Sequence, residues 1–93
     1  MIIRYNLDEE TGLPHFWKHG VEEDEIAEVM ARPGAILPGR RDTLEALGQT
    51  RAGRYLKVIF LRDPIPDSVF VLTAYPLTGN ALKAYRRNRR RRR

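Results

Sequence analysis

Along RYLKVIFLR, residues 54–62, apolar and polar side chains take turns. Leu56, Val58 and Phe60 fall on one side of an extended chain and Tyr55, Lys57 and Ile59 on the other, which predicts a central strand covered more heavily on its first side. Residues 43–50 show a second β pattern, and the short QTRAGR link with Gly53 predicts that the two runs form a hairpin. Pro64 and Pro66 make the next connection; a third run over 68–75 (SVFVLTAY) follows and stops at Pro76. Shorter strands are expected at Met1–Tyr5 and Ala35–Leu37. The period changes in VEEDEIAEVMARPG, where Ile26, Val29 and Met30 share one helical face, acids crowd the first turn and Pro33-Gly34 closes the segment. An amphipathic helix is therefore expected over 21–31. Thr78 can cap a final helix whose Leu82 and Tyr85 look inward, while the arginines after Tyr85 have no apolar stripe and are expected to fray. Residues 8–18 are ambiguous, because Gly12 and Pro14 interrupt any helix while Phe16 and Trp17 favour burial. The expectation is one α+β domain over 1–85, a small antiparallel sheet with an N-terminal amphipathic helix and a C-terminal basic helix packed on one face, followed by an arginine-rich tail over 86–93.

Charge sharpens this picture. The 93 residues suffice for one core, and the formal net charge is +5. It is unevenly spread: residues 1–31 hold eight acids against Arg4 and Lys18, whereas 32–93 hold fifteen bases against four acids. Without the seven arginines from Arg86 onward, ten basic residues face twelve acidic ones, so the basic character belongs largely to the tail. Such a tail binds phosphate with strong salt dependence and little sequence selectivity. With no cysteine, thiolate metal sites and disulfides are excluded. No signal peptide and no membrane-length apolar run is visible, and a soluble cytoplasmic protein is expected.

Candidate chemistry narrows quickly. His15 and His19 have i, i+4 spacing, but Pro14 and Gly20 bracket them and only Glu22 or Asp24 would complete a trio, so one surface and one packed histidine is the preferred reading, with no metal and no cofactor. Gly48 and Gly53 fit turns; neither precedes the Lys-Ser/Thr of a phosphate-cradling loop. What remains is arginine, histidine, tyrosine and carboxylate. Arg40, Arg41, Arg51 and Arg54 gather around the hairpin, Arg62 ends one strand and Tyr75 the next. These groups suit metal-free RNA cleavage, in which a base deprotonates the 2′-hydroxyl, guanidinium groups stabilise the phosphorane and an acid protonates the leaving oxygen.

The stretches WKHGVEEDEIAEV, EALGQTRAGRYLKVIF and VLTAYPLT followed by a basic helix resemble the BrnT-type toxins of bacterial toxin–antitoxin pairs, within the RelE-like group of small α+β ribonucleases. The likeness spans about residues 17–85. It implies metal-independent RNA cleavage that restrains translation, and neutralisation by a ribbon-helix-helix antitoxin. By this resemblance Lys18 and His19 match the Lys-His-Gly motif, Asp24 the first-helix carboxylate, Arg54 the Gly-Arg start of the central strand and Arg62 an arginine-bearing strand end. Tyr75 departs from the pattern: many relatives end the last strand in Ser-Ala-Arg, and here Thr73-Ala74-Tyr75 places a tyrosine that can act as an acid through its hydroxyl or stack on a base. His19, Arg54, Arg62 and Tyr75 are expected to converge on one phosphate. Arg40, Arg41, Arg51, Lys83, Arg86, Arg87, Arg89 and Arg90 are the expected RNA contacts. The alternative is a non-catalytic RNA- or ribosome-binding module; a homodimer is compatible with either.

Overall fold

The computed structural model describes residues 1–91. Five strands, β1 (Ile2–Tyr5), β2 (Ala35–Pro38), β3 (Leu44–Gln49), β4 (Tyr55–Arg62) and β5 (Ser68–Pro76), form one sheet in the order β1-β5-β4-β3-β2. A 3₁₀ turn (His15–His19) and helix α1 (Glu23–Ala31) separate β1 from β2, and helix α2 (Gly79–Arg91) follows β5. Strands β2 to β5 are joined as antiparallel neighbours, whereas β1 lies parallel to β5, with Ile2 opposite Ser68 and Tyr5 opposite Val71. The sheet is thus mixed, not antiparallel throughout. The Met1 ammonium, 3.4 Å from Asp67, and the Ile2 N–H, donated to the Asp67 carbonyl at 2.9 Å, fix the start of β1.

Local chemistry explains the turns. Between β2 and β3, Arg41 (φ 52°) and Asp42 (φ 65°) both adopt left-handed backbone, the two-residue hairpin conformation whose twist matches the flanking strands. The β3–β4 connection places Gly53 at φ 97°, and Thr50 and Arg54 close it with an N–H to carbonyl bond of 2.8 Å. Helix α1 opens with a capping box: the Glu22 N–H donates to Glu25 Oε1 at 3.0 Å and the Glu22 side chain accepts in return.

The register sorts the sheet into two faces. Ala46, Val58 and Ala74 lie side by side on one, Leu47, Lys57 and Tyr75 on the other. Phe16 from the 3₁₀ turn and Ile26, Val29 and Met30 from α1 cover the first face, burying Leu56, Val58, Phe60 and Val71. Gly48 lets α1 approach closely, since a Cβ there would stand 3.0 Å from Val29 Cγ1. On the second face, among the described residues, one corner is covered, by Leu77, Leu82 and Tyr85 against Ala35, Leu47 and Tyr55. The two helices therefore occupy opposite faces, because Leu47 and Tyr55 point away from α1 and supply the apolar landing that Tyr85 needs. Helix α2 also continues past Tyr85 to Arg91 instead of fraying there; Arg92 and Arg93 lie outside the described residues. Among the described residues no helix is long and apolar enough to cross a membrane.

Candidate functional site

The uncovered part of the second face carries a row of polar side chains. Tyr75 and Lys57 are direct cross-strand neighbours on β5 and β4. Lys57 Nζ lies 5.9 Å from the Tyr75 ring centroid and 3.1 Å from Glu45 Oε1 on β3. At the other end, the 3₁₀ turn packs along β5 and brings the His19 ring edge-on to Tyr75, centroids 5.7 Å apart. Gly20 ends that turn in left-handed backbone (φ 71°), its N–H bonded back to the Trp17 carbonyl at 3.0 Å, which places His19 at the sheet margin. The sequence His19, Tyr75, Lys57, Glu45 thus crosses three elements of secondary structure and the turn beside them. Partial burial opposes the charge on Lys57, yet hydrogen bonding to Glu45 and the neighbouring Tyr75 oxygen outweigh it and hold the ammonium above the ordinary lysine range. Lys57 is a cation at neutral pH, suited to stabilising negative charge and not to removing a proton.

Two grooves flank α2. One, of about 560 Å³, runs between α2 and the open face and is lined by Leu37, Leu47, Leu77 and Ala84, with Glu45 and Lys57 at its edge. The other, of about 510 Å³, is basic: Arg32, Arg86, Arg89 and Arg90 surround Tyr55 and Tyr85. Tyr85 is fixed there by Gly34, where a Cβ would overlap the phenol oxygen and stand 2.9 Å from Cζ. Burial raises the Tyr85 pKa, with the nearby Arg89 charge opposing the shift. Arg89 donates to the Gly34 carbonyl at 3.1 Å, and the Arg86 guanidinium lies 5.9 Å from the Tyr55 ring centroid.

Of the residues expected to form one centre, only His19 and Tyr75 meet. Arg54 instead faces α1, donating to the Gly20 carbonyl (2.8 Å) and to both Glu25 carboxylate oxygens (3.0 and 3.2 Å). It ties the capping carboxylate of α1 to the hairpin. Arg62 is exposed at the opposite end of β4; the eight-residue separation from Arg54 along an extended chain is about 26 Å, so no single phosphate spans them. Lys18 pairs with Asp8 at 2.6 Å, and that hydrogen bond, with backbone N–H groups from Glu10 and Thr11, holds the Asp8 carboxyl below the usual range. Asp24 is exposed, and its Oδ1 accepts the N–H of Glu25 at 3.1 Å.

The expected RNA contacts divide as well. Arg40 and Arg41 sit in the β2–β3 turn, Arg51 in the next hairpin with its N–H on Glu28 Oε1 (3.0 Å), and Lys83 and Arg87 are exposed on α2. Only Arg86, Arg89 and Arg90 line the basic groove, joined by Arg32, which sequence reasoning missed. Lys57 and Glu45 were missed too, since each reads as an ordinary polar position on an alternating strand. The available signal was the period itself, which puts Lys57 on the Tyr55 and Ile59 side. Among the described residues no group of three or more histidines or carboxylates is arranged to hold a metal ion; the His15 and His19 rings are 6.2 Å apart, edge to face. No protein-family model, curated protein or solved structure matches the chain.

Proposed function

We propose that the protein is a toxin-type endoribonuclease that cuts RNA without a metal ion, using the polar row on the open sheet face. The observation that carries this reading is the adjacency of His19, Tyr75 and Lys57 beside an arginine-lined helix. His19 removes the proton of a 2′-hydroxyl, whose oxygen attacks the adjacent phosphorus. The Lys57 ammonium neutralises the phosphorane oxygens, and Glu45 orients that ammonium. Tyr75 gives its proton to the departing 5′-oxygen, and the imidazolium of His19 returns a proton to Tyr75. The bond from phosphorus to the 5′-oxygen breaks as that to the 2′-oxygen forms, leaving a 2′,3′-cyclic phosphate and a 5′-hydroxyl. The arginines of α2 hold the flanking phosphates, a contact that gives affinity without reading sequence. In the setting implied by the BrnT-type resemblance, such cleavage restrains translation, and a ribbon-helix-helix antitoxin presents carboxylates to the basic groove to block it.

One observation favours the second reading, a non-catalytic RNA- or ribosome-binding module: Arg54 is engaged by Glu25 and Arg62 is remote, so neither guanidinium serves the row. The decisive experiment incubates end-labelled single-stranded RNA with purified protein in EDTA and identifies product termini. Cyclic phosphate ends are expected, with Tyr75→Phe and Lys57→Met each lowering the rate by roughly 10²–10³ and changing affinity little. RNA that is bound but remains intact makes the protein a binding module, and equal cutting by the His19→Ala, Lys57→Met, Tyr75→Phe triple variant removes the polar row as the reacting centre.

A further inference from the structure

The basic groove holds more than charge. Tyr55 stands on the same face of β4 as Lys57, two residues away, a displacement of about 6.6 Å along the strand. Its ring and that of Tyr85 pack in a T-shaped pair, centroids 6.0 Å apart at 72°, which fixes its position. Over the ring stands the guanidinium of Arg86, 5.9 Å from the centroid and carried by an exposed side chain. That separation is too long for close stacking. Among the described residues, neither Arg32, Arg86, Arg89 nor Arg90 is paired with a carboxylate, and no acidic side chain lines the groove. An aromatic surface with a movable cation over it and unpaired arginines at its rim matches a planar base attached to a phosphate.

We infer that this groove is a nucleotide subsite in which one RNA base stacks on Tyr55 and its phosphate is held by Arg32, Arg86 and Arg90. The inference rests on the reading of the open face as an RNA track and deepens it. The spacing from Tyr55 to Lys57 is on the scale of one nucleotide step, so a base seated on Tyr55 delivers the neighbouring phosphate to Lys57 and Tyr75. Arg86 swings aside to admit the base and then covers it or meets its phosphate. Tyr55 thereby becomes the residue that sets the cleavage register and the identity of the base beside the cut, while the remaining arginines contribute affinity common to all sequences.

Titration calorimetry of the full chain with adenosine monophosphate, uridine monophosphate, ribose 5-phosphate and inorganic phosphate tests the subsite apart from any chemistry. The nucleotides should bind at least about five-fold more tightly than ribose 5-phosphate, the lower end of base–aromatic stacking. Tyr55→Phe should keep that margin and Tyr55→Leu, which retains apolar packing against Tyr85, should abolish it. Arg86→Ala leaves the core untouched, and amide and ring NMR shifts on nucleotide addition should then still centre on Tyr55. Equal binding of nucleotide and ribose 5-phosphate, or a nucleotide margin that survives Tyr55→Leu, overturns the inference. Its fate is separable from that of the cleavage mechanism. Tyr55-dependent nucleotide binding without RNA cleavage supports the subsite and removes the ribonuclease, whereas cleavage whose positions are unchanged in Tyr55→Leu does the reverse.

Discussion

Replacing Tyr85 by alanine should release α2 from the sheet while leaving the core under α1 intact. The apolar docking of helix α2 comes from Leu82 and Tyr85, with Leu77 just before the helix, and Tyr85 is 8% exposed; the polar contacts it adds are the Arg89 bond to the Gly34 carbonyl and Arg86 beside Tyr55. A buried tyrosine removes about 150 Å² or more from water, which at about 25 cal/mol per Å² is worth about 4 kcal/mol. Truncation of a buried aromatic costs about 3–5 kcal/mol by direct measurement in other proteins, in agreement. Little else sustains this helix. Its 13 residues are marginal alone in water, and the spacing of Arg86 with Arg89 and Arg90 puts like charges on adjacent turns, each pair unfavourable by about 0.2–0.5 kcal/mol. The single tryptophan, Trp17, lies in the 3₁₀ turn next to Phe16 of the core under α1 and reports on that part of the fold. Amide exchange should therefore show loss of protection across 79–91 and circular dichroism a loss of helix, with the urea midpoint read by Trp17 fluorescence nearly unchanged. Gly34→Ala, whose new methyl collides with the Tyr85 phenol, should reproduce the phenotype in weaker form. Loss of α2 protection and of the Trp17 transition together would show one cooperative unit and refute this reasoning, as would unaltered protection in α2.

Arg54→Ala should destabilise the fold by about 1 kcal/mol, the value fitting a partly exposed ion pair, and on the proposed reading the folded variant should cleave RNA within a few-fold of the parent rate. A fall of 10² in a variant that unfolds at the parental temperature would restore Arg54 to the reacting centre. Asp63 gives a pH dependence: burial alone would raise its pKa, but hydrogen bonds from Ser68 and the Ile65 N–H, with the charge of Arg4, hold it below the ordinary carboxylate range. Its contribution is therefore present above the unfolded value near 4 and lost as pH falls through the lowered folded one. Asp63→Asn should lower Tm at neutral pH and converge with the parent in acid; parallel Tm curves at all pH values would contradict this.

Much of the architecture was legible because its causes are local. The β4 alternation, the acid-rich start of α1 and the Gly53 hairpin each announce themselves within a few residues, and all lie where expected. Parallel pairing of β1 with β5 was not legible, because strand partners 66 positions apart leave no mark in either segment. The side on which α2 docks depends on Leu47 and Tyr55 sharing a face, a consequence of register. For the site, the Lys-His-Gly turn and the strand end at Tyr75 pointed to two residues that do meet, yet their bridge to Glu45 runs through Lys57, which no motif marks. The failure of Arg54 and Arg62 to converge was open to anticipation from strand length alone. The capture of Arg54 by Glu25 was not, since nothing local distinguishes a capping glutamate that also accepts a guanidinium.

The parallel edge strand also constrains when the protein can become active. Residues 2–5 leave the ribosome long before 68–71, so their sheet hydrogen bonds wait until β5 is synthesised, while the hairpins of β2, β3 and β4 can close locally in the interval. The 3₁₀ turn that carries His19 leans on β5 in the same way, and Tyr75 lies within β5 itself. Every nascent chain shorter than about 76 residues consequently lacks the polar row, however well its first hairpins have formed. On the proposed reading, the reacting groups are therefore not assembled before β5 has been made.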